Sequence, residues 1–460
     1  MSHLKLAALV AAAVLAATAQ AQIDLTQLRP EIRPVPAQQI ERVNAASGLT
    51  DCFWAATISR ETLNMVLPDS HAVYWLAQFR LPEGAQLRLE GRYPKARLMS
   101  FNSYDSQGAP VDRLNDVMTV PMPGSSNPFV PGASRADARR DYQVKLAERN
   151  LVAGVPIDEA TREPSTLYLP RGADRHQLWY RVYLPDRGQD VRGGEPLPTP
   201  VLQMADGREL RGESLCRTVN VREGIVNDVG LRAEALRPLL NLRGPDIRSP
   251  YHPAQNPVEW GAFFNPTLSA LALVAGTPQE GLRELVDPAR RGGFYSTLDN
   301  SYMSTYVDRR HGALLVVQAQ APVTPRTLGG EPRMQDAQLR YWSICKYRSL
   351  ADTAVDGCLA DEEIPLDAQE RFTVVLSSAA DRPANARPEC GIAWLDWGQA
   401  GDGIGNPDGG FLIMRQTLPA QDFKQSISAT RKPGEERDLL GPFYPRTRYM
   451  SREAFERQGC

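Results

Sequence analysis

The sequence predicts a mainly β protein: two tandem, related β-sandwich domains of jelly-roll type, with a partly helical connection and a short C-terminal helix. Three observations predict it. The same series of stretches recurs in both halves, those stretches alternate apolar and polar residues, and long helical patterns are few. Tyr74 to Pro94 aligns without gaps on Tyr302 to Pro322, placing Gly84-Ala85 on Gly312-Ala313 and Leu87 on Leu315. Farther along, Arg97 to Phe101 falls on Arg340 to Ile344, Tyr104 on Tyr347, and Leu114 and Asp116 on Leu359 and Asp361. Tyr142 to Leu146 then falls on Phe372 to Leu376, and Arg181, Leu184 and Pro185 fall on Arg415, Leu418 and Pro419. The unmatched stretches, 121–140 and 324–336, are loop-like in composition, where a fold tolerates extra residues.

At the N-terminus, Lys5, the apolar run Leu6 to Ala17 and the small-x-small site Ala19-Gln20-Ala21 have the layout of a secretion signal over residues 1–21. The run is shorter than the roughly 20 residues that cross a bilayer, so the mature chain is expected in the periplasm or outside the cell with no transmembrane anchor. Residues 22–70 form an N-terminal segment, 71–222 the first β domain, 223–298 the connection, 299–430 the second β domain and 431–460 the tail. In the first domain Leu87 and Leu89 alternate with Gln86, Arg88 and Glu90, the pattern of a strand with one wet face. Leu314 to Val317 is apolar on both faces, which predicts cover on both sides, the second cover coming from the other half. Helices are expected at Arg232 to Leu242, Glu259 to Val274, Asp422 to Ala429, and after a Ser451 cap through Phe455.

Hydrophobic residues make up 42% and charged residues 23%, a globular composition, and the net charge of −2 leaves no basic excess for nucleic acid. Six cysteines in an exported chain favour disulfides. Cys345 and Cys358 lie on neighbouring predicted strands and pair first, leaving Cys390 with Cys460 and Cys52 with Cys216.

The run Tyr341-Trp342-Ser343, the acidic region at Leu359-Ala360-Asp361, Ala393-Trp394-Leu395 before a Gly-rich loop, and the strand ending Leu418-Pro419 carry a family resemblance. They resemble uncharacterised secreted bacterial proteins carrying a jelly-roll-like β-sandwich domain of unknown function, here present twice. The resemblance implies a fold and transfers no catalytic residue.

Familiar hydrolase motifs are missing: Gly212 to Cys216 breaks the G-x-S-x-G pattern at its last position, and H-E-x-x-H is absent. Candidate sites remain. In the loop after Trp397, Asp402, Asn406 and Asp408 offer hard oxygen ligands for calcium, against the alternative of Asx turns. Trp394 and Trp397 flank Asp396, a set suited to stacking on a sugar ring and accepting from its hydroxyls. Tyr251, His252 and Trp260, with Phe263 and Phe264, are placed to line a cleft between the halves, a favoured pocket location, or to glue the halves together. The insertion Pro121 to Phe129 is long enough to carry a binding role. Asp361-Glu362-Glu363 is a carboxylate cluster, and recurrence of its Asp as Asp116 favours scaffold ion pairs, Asp361 with Arg340 and Asp116 with Arg97; Arg181 and Arg415 are likewise assigned to the scaffold. Two function classes follow: an exported module binding a carbohydrate or another envelope or extracellular ligand, and an exported hydrolase or lyase with a carboxylate-based, metal-assisted site in the cleft.

Overall fold

The computed structural model describes residues 30–220, 226–241, 249–266, 269 and 292–460. The segment 1–21 read as a secretion signal and most of the helix expected at Glu259 to Val274 lie outside the described residues. The first part of the chain forms β1 (Glu31–Pro34), α1 (Ala37–Ser47), β2 (Ala56–Ile58), β3 (Ala72–Phe79), β4 (Gln86–Arg92), β5 (Ala96–Tyr104) and β6 (Pro110–Asn115). It goes on with β7 (Asp141–Arg149), β8 (Thr166–Pro170), β9 (His176–Pro185), β10 (Thr199–Gln203), β11 (Glu209–Leu210), α2 (Gly212–Thr218), β12 (Asn227–Gly230) and α3 (Ala233–Leu240). The remainder forms β13 (Gly261–Ala262), β14 (Asn300–Asp308), β15 (Leu314–Gln320), β16 (Leu339–Tyr347), β17 (Val355–Ala360), β18 (Arg371–Ser377), β19 (Ala393–Asp396), β20 (Gly409–Pro419), α4 (Glu436–Leu440), β21 (Arg446–Met450) and α5 (Arg452–Glu456).

Apart from the two-stranded antiparallel sheet β1-β12, the strands build two pairs of sheets. In the first pair the orders are β2-β3-β9-β5-β6 and β11-β10-β4-β7-β8; in the second they are β13-β14-β20-β16-β17 and β19-β18-β15-β21. The order β3-β9-β5-β6 has its counterpart in β14-β20-β16-β17, all antiparallel. The order β4-β7-β8 has its counterpart in β15-β18-β19, and in both the last strand is added parallel.

Strand alternation divides the core. On β9, Leu178, Tyr180 and Val182 enter the core of the first pair, while Trp179 and Tyr183 face the second pair. On β20, Leu412 and Met414 enter the second core, while Phe411 and Ile413 face the first pair. A third core therefore lies between the pairs, built from Tyr74, Leu76, Trp179 and Tyr183 on one side and Tyr306, Tyr341, Tyr347 and Phe411 on the other. The loops 121–140 and 324–336 meet each other: Ser134 bridges to Arg333, Gly132 N–H donates to Met334 C=O at 2.7 Å, and Met334 sits in the first pair's core beside Phe129. Phe129, the last residue of the insertion expected to have a binding role, also joins the halves, its carbonyl accepting from Arg340 Nη2 at 3.0 Å.

Several sequence expectations are corrected. The second face of β15 is covered by Ala386, Ile392 and Phe455, not by the other half; Leu314 and Val316 pack there with the C-terminal helix. Glu259 to Val274 does not begin as a helix, because Gly261–Ala262 pairs with β14. Asp422 to Ala429 yields one 3-10 turn, Ile427–Ala429. By contrast, Ser451 does cap α5, accepting from Ala454 N–H, and α3 falls within Arg232 to Leu242. All six cysteines are paired as expected: Cys52–Cys216, Cys345–Cys358 and Cys390–Cys460. Among the described residues, no helix is long and apolar enough to cross a membrane.

The scaffold ion pairs exist but are exchanged. Arg97 Nη1 donates to Asp361 at 2.8 Å and to Arg340 C=O at 3.1 Å, and Nε donates to Thr327 Oγ1 at 2.7 Å. Arg340 Nη1 in turn donates to Asp116 at 3.1 Å. Each arginine crosses to the acid of the opposite half, because the halves face each other where their own strands end.

Candidate functional site between the sheet pairs

Corresponding positions on corresponding strands converge in the junction. Tyr74 on β3 lies opposite Arg181 on β9, and Tyr302 on β14 lies opposite Arg415 on β20. Alternation turns both arginines away from the sandwich cores and toward each other's half. Each guanidinium stacks on its own half's tyrosine: Arg181 Cζ is 4.5 Å from the Tyr74 ring centroid, and Arg415 Cζ is 5.4 Å from that of Tyr302. Each also bonds a tyrosine hydroxyl of its own half and a carbonyl from the segment leading into the other half. Arg181 donates to Tyr104 Oη and to the Tyr295 carbonyl; Arg415 donates at 3.3 Å to Tyr347 Oη and to the Leu67 carbonyl.

The backbone presenting those carbonyls is held in an unusual conformation. Val66 and Leu67 have φ of 58° and 56°, and Phe294 and Tyr295 have φ of 52° and 54°. Consecutive bulky residues in the left-handed region cost about 1–3 kcal/mol each and persist only where surrounding contacts dictate them. Here the contacts are explicit: Thr353 holds the N–H groups of Val66 and Leu67, and the Tyr295 N–H donates to Gly108 C=O at 3.0 Å. Gly108, at φ 73°, lies under the Tyr295 ring, where a Cβ would approach ring carbon to 3.1 Å.

These paired residues wall a cavity. Val66, Leu67, Tyr74 and Arg181 line it with their counterparts Phe294, Tyr295, Tyr302 and Arg415, and Phe263, Gly293, Ser296, Ser304, Leu350, Phe411 and Ile413 complete it. Water-sized spheres have about 40 Å³ inside, room for a small group rather than a large ligand. A wider depression of about 310 Å³ adjoins it, sharing Phe263, Ser296 and Tyr302 as walls and edged by Asn300, Ser428 and Arg431.

The charges are not symmetric. Asp69 accepts from Arg415, from Ser343 Oγ at 2.7 Å and from Tyr341 Oη at 3.0 Å. Burial works against its charge, yet Arg415, His71 and Ser343 together hold the carboxyl well below the usual carboxylate range. The residue at the matching place in the second half is Thr297, and Arg181 has no carboxylate within ion-pair distance among the described residues. Arg181 is 2% exposed and Arg415 is 3% exposed, and the Nε of each donates to nothing among the described residues.

His71 closes the ring of charge behind Asp69. Its Nε2 lies 2.8 Å from Glu363, and its Nδ1 lies 3.5 Å from Asp69. Burial alone would push the imidazole down, but its closeness to the two acids wins and raises it to about 10. A group with a raised folded-state pKa stabilises fully below its unfolded value of 6.5, and that stabilisation is lost as pH rises through about 10. His71→Gln is therefore expected to flatten the fall in unfolding free energy between pH 7 and 10, measured by urea titration. An unchanged slope would remove the doubly paired imidazolium.

The residues singled out from sequence lie elsewhere. Tyr251 meets His311 edge to face with ring centroids 4.8 Å apart and lies under Arg310. His252 is buried before Pro253, and Trp260 belongs to the second pair's core, its Nε1 donating to Thr447 Oγ1 at 2.8 Å. Of that aromatic stretch, Phe263 reaches the cavity. Trp397 is buried in the second core, Trp394 Nε1 donates to Ser377 Oγ at 3.0 Å, and Asp396 accepts from Gly398 N–H at 3.1 Å. In the Gly-rich loop, Asp402 accepts from the N–H groups of Ile404 and Asn406, Asn406 accepts from Asp408 N–H, and Asp408 pairs with Arg309 at 3.0 Å. Lys346, buried behind it, donates to Gly401 C=O at 2.8 Å. The loop's oxygens thus face backbone donors and two cations. Among the described residues, Asp69, Cys345 and Cys358 bring three potential metal-ligating atoms within 4.8 Å, but both sulfurs are joined in the disulfide. Asp69, Val66 and Phe294 were missed from sequence. The signal for the last two was available: they precede the aligned blocks at the same spacing.

No protein-family model matches the chain, and no curated protein matches it. Among solved structures, it is similar to an uncharacterised protein from Burkholderia cenocepacia, at 12% identity over 91% of this chain and 88% of that one, with a TM-score of 0.44. It is also similar to the VPA0106 protein from Vibrio parahaemolyticus, at 9% identity over 90% of this chain and 96% of that one, with a TM-score of 0.36.

Proposed function

We propose that this protein is an exported ligand-binding protein whose site is the cavity between its sheet pairs. The observation that carries the proposal is Arg181: a buried guanidinium lining a cavity, with an unspent N–H and no acid beside it among the described residues. A buried unpaired charge is costly, and a bound partner that completes it offsets that cost. Export is supported by the Lys5 to Ala21 layout and by three disulfides, which persist in oxidising compartments. The matching strand orders support descent of both sheet pairs from one duplicated jelly-roll-like unit. Ser296 and Ser304 are the serines of the cavity wall, and among the described residues no histidine lines that wall to activate either, which favours binding over hydrolysis.

The test is calorimetric titration of the mature protein with sugars, carboxylates, alcohols and amines, with each mixture then assayed for turnover. Saturable binding without conversion is expected. Conversion, above all chelator-sensitive conversion, would replace this reading with the hydrolase or lyase.

A further inference from the structure

The composition of the cavity narrows its ligand, and this inference rests on the binding reading above. The described charges at the cavity wall and directly behind it are Arg181, Arg415, Asp69, His71 and Glu363, and Arg431 stands at the edge of the adjoining depression. His71 is raised to about 10 and Glu363 is lowered by the same contact despite its burial, so those two cancel at neutral pH. Asp69 balances Arg415. Arg181 is left over, and one negative charge completes the site.

The unspent donors narrow it further. Among the buried polar atoms of the lining residues, three have no partner among the described residues: the Nε of Arg181, the Nε of Arg415 and the hydroxyl of Tyr295. The rest of the wall is mostly apolar, with Val66, Leu67, Phe263, Phe294, Phe411 and Ile413, and carries the hydroxyls of Tyr74, Tyr302, Ser296 and Ser304. A dianion such as inorganic phosphate would exceed the single charge left over and bring an uncompensated charge into a mostly apolar cavity. A sugar would bring more hydroxyls than the few polar groups of this wall can meet. A carboxylate has one charge and two oxygens, and carbon behind it suits the wall. The space inside takes the carboxylate and its first carbons, and the adjoining depression past Phe263 and Tyr302 leaves room for the rest.

We propose that the cavity binds a monocarboxylate with an apolar body, its carboxylate against the guanidinium of Arg181 and its carbon chain against Phe263, Phe294 and Phe411. Arg181 is the anchoring residue, and Thr297 is the position whose lack of an acid keeps that anchor available.

Calorimetric titration of the mature protein with hexanoate, hexanol and hexylamine tests this. Hexanoate is expected to bind saturably at one site, with hexanol at least about tenfold weaker and hexylamine weaker still. Arg181→Met is expected to erase the preference for hexanoate over hexanol. Thr297→Asp, which supplies the acid that Asp69 supplies to the other arginine, is expected to weaken hexanoate by about tenfold or more and leave hexanol nearly unchanged. It remains decisive where Arg181→Met fails to fold. Equal affinity of hexanol and hexanoate for the wild type would overturn the carboxylate while leaving a binding cavity. Undiminished hexanoate binding by either variant would place the site elsewhere. Absence of binding by all three compounds would overturn both this inference and the binding reading.

Discussion

Arg97→Ala is expected to destabilise the protein by about 3–5 kcal/mol in urea unfolding at neutral pH, the cost of removing one partner of a buried ion pair. Arg97 is fully buried, and its guanidinium serves Asp361, Glu362, Thr327 and the Arg340 carbonyl together. Its loss leaves two acids from the second half without a cation. The mirror variant Arg340→Ala should cost less, for a definable reason. Burial raises the Asp116 carboxyl to about 6 even though Arg340 opposes it, so without the arginine Asp116 can take up a proton. The Arg340→Ala deficit should therefore be smaller at pH 5 than at pH 8. A cost below about 1 kcal/mol for Arg97→Ala, the size of an exposed pair, would mean that the crossed contacts do not join the halves.

Asp69→Asn is expected to have an effect of similar size, about 3–5 kcal/mol, for a different reason. The substitution keeps the shape but leaves Arg415 and Arg181 in one apolar junction without an acid between them. It also weakens the acceptor for Tyr341 and Ser343, and takes one of two acids from His71. The pH dependence has a fixed sign. A carboxyl with a depressed folded-state pKa stabilises above its unfolded value of 3.8, and the stabilisation is lost as pH falls toward the folded value. The acid limb of the wild-type stability curve should thus be steeper than that of Asp69→Asn. Parallel limbs would show that Asp69 is not the buried counter-ion of Arg415.

Much of this architecture is legible in the sequence, and the boundary of legibility has physical causes. Period-two alternation and the repeated blocks locate the strands because each strand's side chains must divide between two environments. The same alignment brings Arg181 onto Arg415 and Tyr74 onto Tyr302, so the site's symmetric members were visible as a set. Their meeting place was not. A repeat specifies how each half folds, while the faces the halves present to each other depend on long-range packing, which is why Arg97 was matched with the acid of its own half. The aromatic candidates failed for a related reason. Trp260 and Trp397 look like ligand platforms in sequence, but large aromatic rings are equally suited to filling a sandwich core, and both do so. The oxygen-rich loop at Asp402 to Asp408 likewise closes Asx turns around its own backbone. The decisive residue, Asp69, lies before the aligned blocks and breaks the symmetry, so no repeat could point to it.

The most direct measurement is the anomalous difference map of crystals of the mature protein grown with 6-bromohexanoate. A bromine peak beside Phe263 and Tyr302, with the carboxylate at the Arg181 guanidinium, is the expected result. A cavity closed by an acidic side chain of the protein on Arg181, with no bromine between the sheet pairs, would contradict it.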